Sequence, residues 1–522
     1  MKNVEKLVAE LETKSALQEE KLALQDQKIA ELTAKLVWYE EQLRLSQQKR
    51  FGRSSEKVDP NQLTFFNEAE VEAVPTPEPT MEQVTYARKK RTTREEKLEN
   101  LPEEIIEYRL EDAICACCGG ELHEMSKEIH QNLKIVPAQV VAVKHIRSVY
   151  ACRQCEQEGE KSTIVAAPMP NSVLPGSLAS PTSMAYVMSQ KYVEGMPLYR
   201  QEKHLARFGV ELSRQTMANW MVKGAELWLS PLYGRMHEHL LMQEVLHADE
   251  TTVQVLKEPG RAPESTSYMW LYRTGRDGPP MVLFDYQTTR ASKNAVRFLA
   301  GFKGYLHVDG YAGYNALSDV TLAGCWAHAR RGFTDALQAL PTDQKDADVP
   351  AKEGLNYCNQ LFSIEKKLVD MTPTERHTLR IEQSRPALEA FSAWLRYQTP
   401  RVLPKSALGK AIAYCKNQWS KLIVFLLDGR LEIDNNRAER SIKPFVIGRK
   451  GWMFANTPRG ATASAMIYSI VESAKENGLN PYAYLVYLFE QMPNLKITDK
   501  DVLDSLMPWS TTIPDNCRVH KS

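Results

Sequence analysis

The sequence predicts a multidomain α/β protein with an N-terminal coiled-coil helix, a zinc-ribbon-like module, a helical region and an α/β core interrupted by a helical insertion. Three observations lead to this organisation. Residues 1–50 contain neither proline nor glycine, two closely spaced cysteine pairs follow, and strand-like runs alternate with helical patterns from residue 240 onwards. The 522 residues suffice for three or four domains of ~150 residues each.

The overall composition limits the function classes. The 66 Lys and Arg nearly balance the 65 Asp and Glu, so binding to a polyanion requires a local basic surface. The sequence has no apolar run of about 18 residues and no signal-peptide core, which predicts a soluble, cytoplasmic protein. Nine cysteines is an odd number, and their clustering favours metal binding over disulfides.

Residues 1–57 are predicted to form a zipper helix. Apolar residues repeat every seven positions at Leu22, Ile29, Leu36 and Leu43, with Gln25, Leu32 and Tyr39 at the companion position. These positions form an apolar stripe along the helix, which either joins two protomers in a parallel coiled coil or packs on its own protein. The polarity of the rest of the helix favours self-association. Residues 58–100 are rich in Pro, Glu and Thr and predict a disordered linker, whose basic cluster at 88–91 is either solvated or in contact with phosphates.

Residues 101–165 contain two C-x2-C pairs that predict a structural zinc site. The four expected ligands are Cys115, Cys118, Cys152 and Cys155. Four thiolates complete a tetrahedral Zn²⁺ shell and leave no open position. The β-rich residues 135–150 are predicted to form the strands that bring the pairs together, and Cys117 is left as a spare thiol.

Residues 166–238 have the pattern of a helix-turn-helix. Leu205 and Phe208 are predicted to face inward, Gly209 to form the turn and Ser213 to cap the second helix. The side chains predicted to project outward towards DNA are Arg214, Gln215 and Asn219. A helical hairpin in the core of a larger domain explains the same pattern equally well.

Acidic residues mark the ends of two strand patterns. Asp249 and Glu250 interrupt the apolar strand pattern of residues 244–256, and Asp309 ends the run 305–309. Glu439 follows at a predicted helix start, with Asp434 as the second candidate there. Mg²⁺ takes oxygen ligands, and two such ions support phosphoryl transfer, so these acids predict a two-metal nucleic-acid enzyme. Glu250 either supports or replaces Asp249.

The order of elements after residue 239 is that of an RNase H-like domain. Strand patterns at 244–256, 267–272 and 281–286 precede a helical pattern at 292–300 and the fourth strand at 305–309. In that fold the first strand is central and the fourth lies beside it, so their acids become neighbours. We assign residues 239–475 to this core, with a helical insertion at about 335–430, and residues 476–522 to a C-terminal extension.

Basic residues cluster around the acidic motifs. His328, in the helix predicted at 325–333, either contacts the scissile phosphate, positions the metal site or is an ordinary core histidine. Glu439 could instead cap its helix in a capping box with Asn436. The remaining residues predicted to contact DNA phosphates are Arg330, Arg331, Arg437, Arg440, Lys443, Arg449 and Lys450.

Together these motifs resemble the IS66-type insertion-sequence transposases over nearly the whole length. The matching stretches are the cysteine pairs and residues 50–57, 198–202, 246–251, 309–314, 325–331, 434–440, 444–450, 460–469 and 480–485. The first cysteine pair departs from the family pattern, because Ala116 and Cys117 stand where a proline is usual.

The resemblance implies a DDE transposase of a bacterial mobile element. It implies a catalytic triad of Asp249, Asp309 and Glu439 with Mg²⁺ or Mn²⁺, a structural Zn²⁺, double-stranded DNA as substrate and association with the nucleoid. It also implies self-association through the N-terminal helix and accessory proteins from the same element. Two other interpretations share most of these features: a metal-dependent nuclease without strand transfer, and an inactive copy acting as a zinc-containing DNA-binding regulator.

Overall fold

A computed structural model describes residues 139–151, 164–341 and 348–519, together with several positions between residues 25 and 40. These ranges contain helices and two sheets, so the predicted mixed α/β class is confirmed. The smaller sheet pairs β1 (Val149–Ala151) with β2 (Ile164–Ala166) in antiparallel orientation. No helix within these ranges is long and apolar enough to cross a membrane.

The larger sheet has five strands in the spatial order β5-β4-β3-β6-β7. The strands are β3 (Val245–Gln254), β4 (Thr266–Thr274), β5 (Val282–Gln287), β6 (Gly304–Val308) and β7 (Val320–Gly324). Strand β4 is antiparallel to both its neighbours, whereas β3, β6 and β7 are mutually parallel. The prediction that the first and fourth strands of this region are neighbours is therefore confirmed.

Helices precede, interrupt and follow this sheet. Those before it are α1 (Pro181–Tyr192), α2 (Leu198–Ala206), α3 (Arg214–Gly224) and α4 (Ser230–Leu241). Those within the sheet region or directly after β7 are α5 (Ser292–Phe298) and α6 (Trp326–Ala339). The others are α7 (Pro350–Lys367), α8 (Pro373–Leu379), α9 (Arg385–Gln398), α10 (Ala407–Leu422), α11 (Asn436–Trp452), α12 (Pro458–Glu476), α13 (Pro481–Gln491) and α14 (Lys500–Ser505).

Helices α2 and α3 form the predicted helical pair. Gly209 makes the turn with a φ of 78°, and the Ser213 side chain accepts a hydrogen bond from Thr216 N at the start of α3. Leu205 is buried as predicted, but the prediction for Phe208 is wrong because its side chain is 39% exposed. Helix α2 ends at Ala206, so Phe208 lies in the turn and the helical periodicity no longer governs its direction.

The helices cover the sheet and build a second core. Helix α12 lies on the edge strand β5, where the Ser469 and Ser473 hydroxyls accept hydrogen bonds from Phe284 N and Val282 N. These bonds satisfy backbone donors that an edge strand otherwise leaves open. Helices α7, α9 and α10 pack with α6 around a separate cluster that includes Trp326. The described residues between β7 and α11 are mostly helical, as predicted for the segment at about 335–430.

Three predicted features fall mainly outside the described residues: the N-terminal helix, the linker and the cysteine-containing module. The described positions of the N-terminal helix are helical, and its apolar residues are exposed by 54–65%: Ile29, Leu32, Leu36 and Tyr39. The linker and all five clustered cysteines lie outside the described ranges. Of the predicted strand-forming residues 135–150, those at 139–148 are neither helix nor strand, and the strand begins at Val149.

Candidate active site

The two adjacent strands β3 and β6 carry the same four-residue pattern. Leu-His-Ala-Asp ends at Asp249 and Leu-His-Val-Asp ends at Asp309. The parallel register pairs His247 with His307. Asp249 lies two residues further along β3, and Asp309 directly follows the end of β6 at Val308. Continuing the register would place the two aspartates on the same face, since neighbouring strands lie about 4.8 Å apart.

A pair of buried histidines lies next to the two aspartates. The rings of His247 and His307 are stacked with their centroids 4.3 Å apart, and both side chains are fully buried. Burial lowers the pKa of His247 to about 3 and that of His307 well below its ordinary value. Both rings are therefore neutral at physiological pH.

Asn435 joins the histidine pair to the segment that precedes α11. Its side-chain oxygen hydrogen-bonds with His247 Nδ1 at 2.9 Å, and its amide nitrogen donates to Ala248 O at 2.8 Å. Nearby, Glu432 N donates to His307 Nε2 at 3.3 Å. Residues 432–435 are thus fixed on both acid-bearing strands, directly before α11 begins. The sequence analysis did not identify Asn435 as a site residue, although the repeated Leu-His-x-Asp pattern includes His247, to which it binds.

We expect Asn435→Ala to destabilise the protein by about 1–3 kcal/mol, because it leaves buried polar groups of β3 without partners. The Asn435 side chain is buried, so water cannot replace the lost bonds. Thermal unfolding measures the effect, and Asn436→Ala is the matched control because Asn436 is only half-buried. Equal unfolding temperatures for the two variants would contradict this positioning role.

Glu439 lies in the first turn of α11 and faces α6. Its Oε1 atom is buried and has no hydrogen-bond partner. The nearest basic groups are His328 Nδ1, 3.8 Å from Oε1, and the Arg331 guanidinium, 3.8 Å from Oε2. The capping-box interpretation is wrong, since α11 has no side-chain cap and Glu439 accepts no backbone hydrogen bond.

The two alternative acids are engaged elsewhere. Asp434 accepts hydrogen bonds from the backbone and side-chain nitrogens of Asn436 at 3.0 and 2.7 Å. Glu250 points to the opposite face of β3 from Asp249, because side chains alternate along a strand. There its buried carboxylate binds Arg290 and accepts a hydrogen bond from Tyr314 Oη at 2.6 Å.

The site is electrostatically suited to a cation. Burial, together with the neighbouring carboxylates of Glu250, Asp309 and Glu439, raises the pKa of Asp249 to about 8. Asp249 and Asp309 each use one oxygen to accept a backbone N–H, at 2.8 and 2.9 Å. Among the described residues, no donor bonds to the second oxygen of either. Carboxylate oxygens without hydrogen-bond donors fit a divalent ion with oxygen ligands.

We expect the stability of the Mg²⁺-free protein to fall as the pH rises through about 8, the pKa of Asp249. A carboxyl whose native pKa exceeds its ordinary value of 3.8 stabilises the fold in its protonated form. This stabilising contribution is fully present at a pH below the ordinary pKa of 3.8, and it is lost as the pH rises through the raised pKa of about 8. Unfolding temperatures at pH 5.5 and 8.5 measure it, and Asp249→Asn should flatten the dependence. An unchanged slope in that variant would contradict the assignment.

The residues predicted to bind DNA are only partly available. Arg437 donates to Glu432 Oε1 at 2.6 Å, and Arg449 donates to Thr252 Oγ1 at 3.1 Å, so both side chains already have partners within the protein. His328 is half-buried beside Glu439. The other predicted side chains are exposed: Arg214, Gln215 and Asn219 on α3, Arg330 and Arg331 on α6, and Arg440, Lys443 and Lys450 on α11.

Comparison with known proteins identifies the family. A family model described as "Transposase IS66 family" matches residues 176–463, which is more than half of the chain. Three further models match in chain order: "Transposase C of IS166 homeodomain" at 38–106, "zinc-finger binding domain of transposase IS66" at 112–156, and "IS66 C-terminal element" at 469–509.

Similar chains occur in Sinorhizobium fredii. The uncharacterized protein y4jD is 32% identical over 425 residues, covering 79% of this chain and 80% of y4jD. The uncharacterized protein y4qI is 30% identical over 490 residues, covering 90% of this chain and 88% of y4qI. The sequence resemblance, the ordered family matches and these relatives agree, and the chain belongs to the IS66 transposase family.

Proposed function

We propose that this chain is a DDE transposase that cuts DNA at the ends of its element and joins the freed 3′-OH to target DNA. Asp249, Asp309 and Glu439 are the proposed ligands of two Mg²⁺ or Mn²⁺ ions. The observation that carries the proposal is the parallel register of β3 and β6, which pairs His247 with His307 and supports Asp249 and Asp309 as neighbours. The strand order β5-β4-β3-β6-β7 supports an RNase H-like core, with the helical segment between α6 and α11 as its insertion.

The roles of the residues follow from their contacts. Two bound ions supply activation of the attacking oxygen and stabilisation of the leaving oxygen in phosphoryl transfer. The three carboxylates would hold the ions, and Asn435 with the neutral histidine pair keeps α11 fixed against β3 and β6. His328 Nδ1, 3.8 Å from Glu439 Oε1, would orient that carboxylate or contact the scissile phosphate. No covalent protein–DNA bond is required.

Exposed basic side chains on three helices supply the proposed DNA surface. Arg440, Lys443 and Lys450 recur on the exposed face of α11, the helix that carries Glu439. Cations at this position would bind the phosphates on either side of the cut. The exposed polar side chains of α3 extend this surface in the manner of a recognition helix.

The N-terminal third supplies a zinc module and a means of self-association. The zinc-finger family match supports Cys115, Cys118, Cys152 and Cys155 as ligands of a structural Zn²⁺. The exposed apolar positions Ile29, Leu32, Leu36 and Tyr39 of the N-terminal helix support a coiled coil between two copies. Accessory proteins of the same element remain further proposed partners.

The test is a product analysis with a labelled duplex that carries the native element end. With Mg²⁺ the wild-type protein should produce 3′-OH cuts and then strands joined to target DNA. Without a divalent ion it should bind the duplex and leave it intact. Raising the salt concentration should weaken binding steeply, because phosphate contacts release counterions.

The outcomes separate the proposed function from its two alternatives. Cut but unjoined DNA, in the presence of target DNA, would identify a nuclease and overturn the strand-transfer assignment. Binding without cutting in either Mg²⁺ or Mn²⁺, also after the accessory proteins of the element are added, would identify an inactive copy acting as a DNA-binding regulator. The wild-type joining activity is the result that supports a transposase.

A further inference from the structure

Cys325, His328 and Glu439 form a second group of potential metal ligands beside the acidic site. Their sulfur, nitrogen and oxygen ligand atoms all lie within 4.8 Å of one another. Within the part of the chain that the structure describes, it is the only such group of three His, Cys, Asp or Glu side chains. The group shares Glu439 with the proposed catalytic triad but does not include Asp249 or Asp309.

Two of the three ligand atoms lack partners. His328 Nδ1 and Glu439 Oε1 are both buried from water, and neither makes a hydrogen bond. They face each other at 3.8 Å. A buried polar atom without a partner costs about 1–3 kcal/mol. An ion bound between these atoms would satisfy both.

The sulfur of Cys325 lies in surroundings that favour a metal-bound thiolate. Cys325 is the N-cap residue of α6, and its Sγ accepts hydrogen bonds from Asn435 N at 3.2 Å and from His328 N. Backbone donors at a helix N-terminus stabilise a thiolate. Burial opposes them and raises the pKa of the thiol to about 12, so an arriving cation must displace the proton to solvent.

We infer that Cys325, His328 and Glu439 bind a thiophilic divalent ion such as Zn²⁺, which withdraws Glu439 from the Mg²⁺ site and thereby inhibits strand cleavage. Sulfur, nitrogen and oxygen donors suit Zn²⁺, whereas Mg²⁺ requires oxygen. Tetrahedral Zn²⁺ ligands lie about 3.3–3.7 Å apart, so the group needs to close by only about 1 Å. The ion binding does not depend on the proposed function, but the inhibition does.

Metal content tests the site directly. The full-length protein is stripped of metal, reloaded with Zn²⁺, dialysed and analysed for bound zinc per chain. The predicted cysteine-pair site contributes equally to every variant, so Cys325→Ser should hold one ion fewer than wild type. The serine keeps an acceptor for Asn435 N. His328→Gln should lose the same ion, and because His328 is only half-buried, this second variant is expected to fold. Cys358→Ser is the matched control, because Cys358 is equally buried and lies outside the group.

Co²⁺ provides a spectroscopic signature of the same site. Thiolate ligation gives Co²⁺ an intense charge-transfer band, which should weaken in Cys325→Ser and stay unchanged in Cys358→Ser. If Cys325→Ser and His328→Gln bind as much metal as wild type, the site does not exist.

Inhibition tests the link to Glu439. With Mg²⁺ alone, Cys325→Ser should cut DNA like wild type, but the Zn²⁺ concentration for half-inhibition should rise at least tenfold, since even outer-shell partners change metal affinity about 10–100-fold. If Cys325→Ser has lost one zinc ion but is inhibited by Zn²⁺ like wild type, the inference that zinc withdraws Glu439 from the Mg²⁺ site is wrong. If wild-type protein cuts no DNA, the proposed function fails, while the zinc count still decides whether the site exists.

Discussion

Asp309→Asn is expected to reduce Mg²⁺-dependent cleavage of an element-end duplex by more than about 100-fold, because removing even an outer-shell partner of a metal ligand costs about 10–100-fold. Asparagine keeps the oxygen that accepts the Tyr311 N–H bond, so the turn after β6 survives. It lacks the negative charge that holds a divalent ion. Single-turnover nicking measures the loss, and Asp249→Asn and Glu439→Gln should behave alike.

Asp434→Asn is the control for this prediction. Asp434 lies five residues before Glu439 in the same motif, but both its oxygens accept hydrogen bonds from Asn436. We expect this variant to stay within a few-fold of wild type, since its carboxylate has a structural role at the start of α11. Loss of cutting in Asp434→Asn, with cutting retained in Glu439→Gln, would make Asp434 the third ligand.

The sequence predicts those parts of the site that depend on local patterns. The apolar periodicity of each run predicts the strands themselves, whereas the prediction of β3 beside β6 comes from the likeness of the element order to an RNase H-like domain. The α2–α3 pair follows from the local signals of Gly209 and Ser213. A turn glycine and a capping serine determine backbone geometry within a few residues.

The remaining parts depend on contacts that local patterns do not contain. Asn435 binds His247, which is 188 positions away in the chain, and nothing in its own neighbourhood indicates burial. Arg437 illustrates the converse case. Its position in a basic run predicts phosphate binding, yet the fold directs its guanidinium to Glu432, five residues earlier. Charge alone cannot distinguish a DNA contact from an internal ion pair.

Arg380 is the clearest case of a side chain whose contacts lie far away in the sequence, and replacing it should cause the largest loss of stability. Its side chain is 1% exposed, and its five N–H donors all have acceptors. Two donate to Glu365, at 2.7 and 2.6 Å. The other three donate to the carbonyl oxygens of Phe425, Asp428 and Leu431 at 2.8–3.0 Å. One buried side chain therefore fixes the loop that leads from α10 towards Glu439.

We expect Arg380→Met to destabilise the helical cluster around Trp326 by about 3–5 kcal/mol, because it leaves the Glu365 carboxylate and three carbonyls without their donors. The urea midpoint of tryptophan fluorescence measures this, since Trp326 and Trp419 lie in that cluster. Arg385→Met, an exposed arginine at the start of α9, should stay within about 0.5 kcal/mol. Adding Glu365→Leu to Arg380→Met should recover part of the loss, because the double variant no longer buries an unpaired charge. A midpoint for Arg380→Met equal to that of Arg385→Met would show that the loop holds its position without the buried arginine.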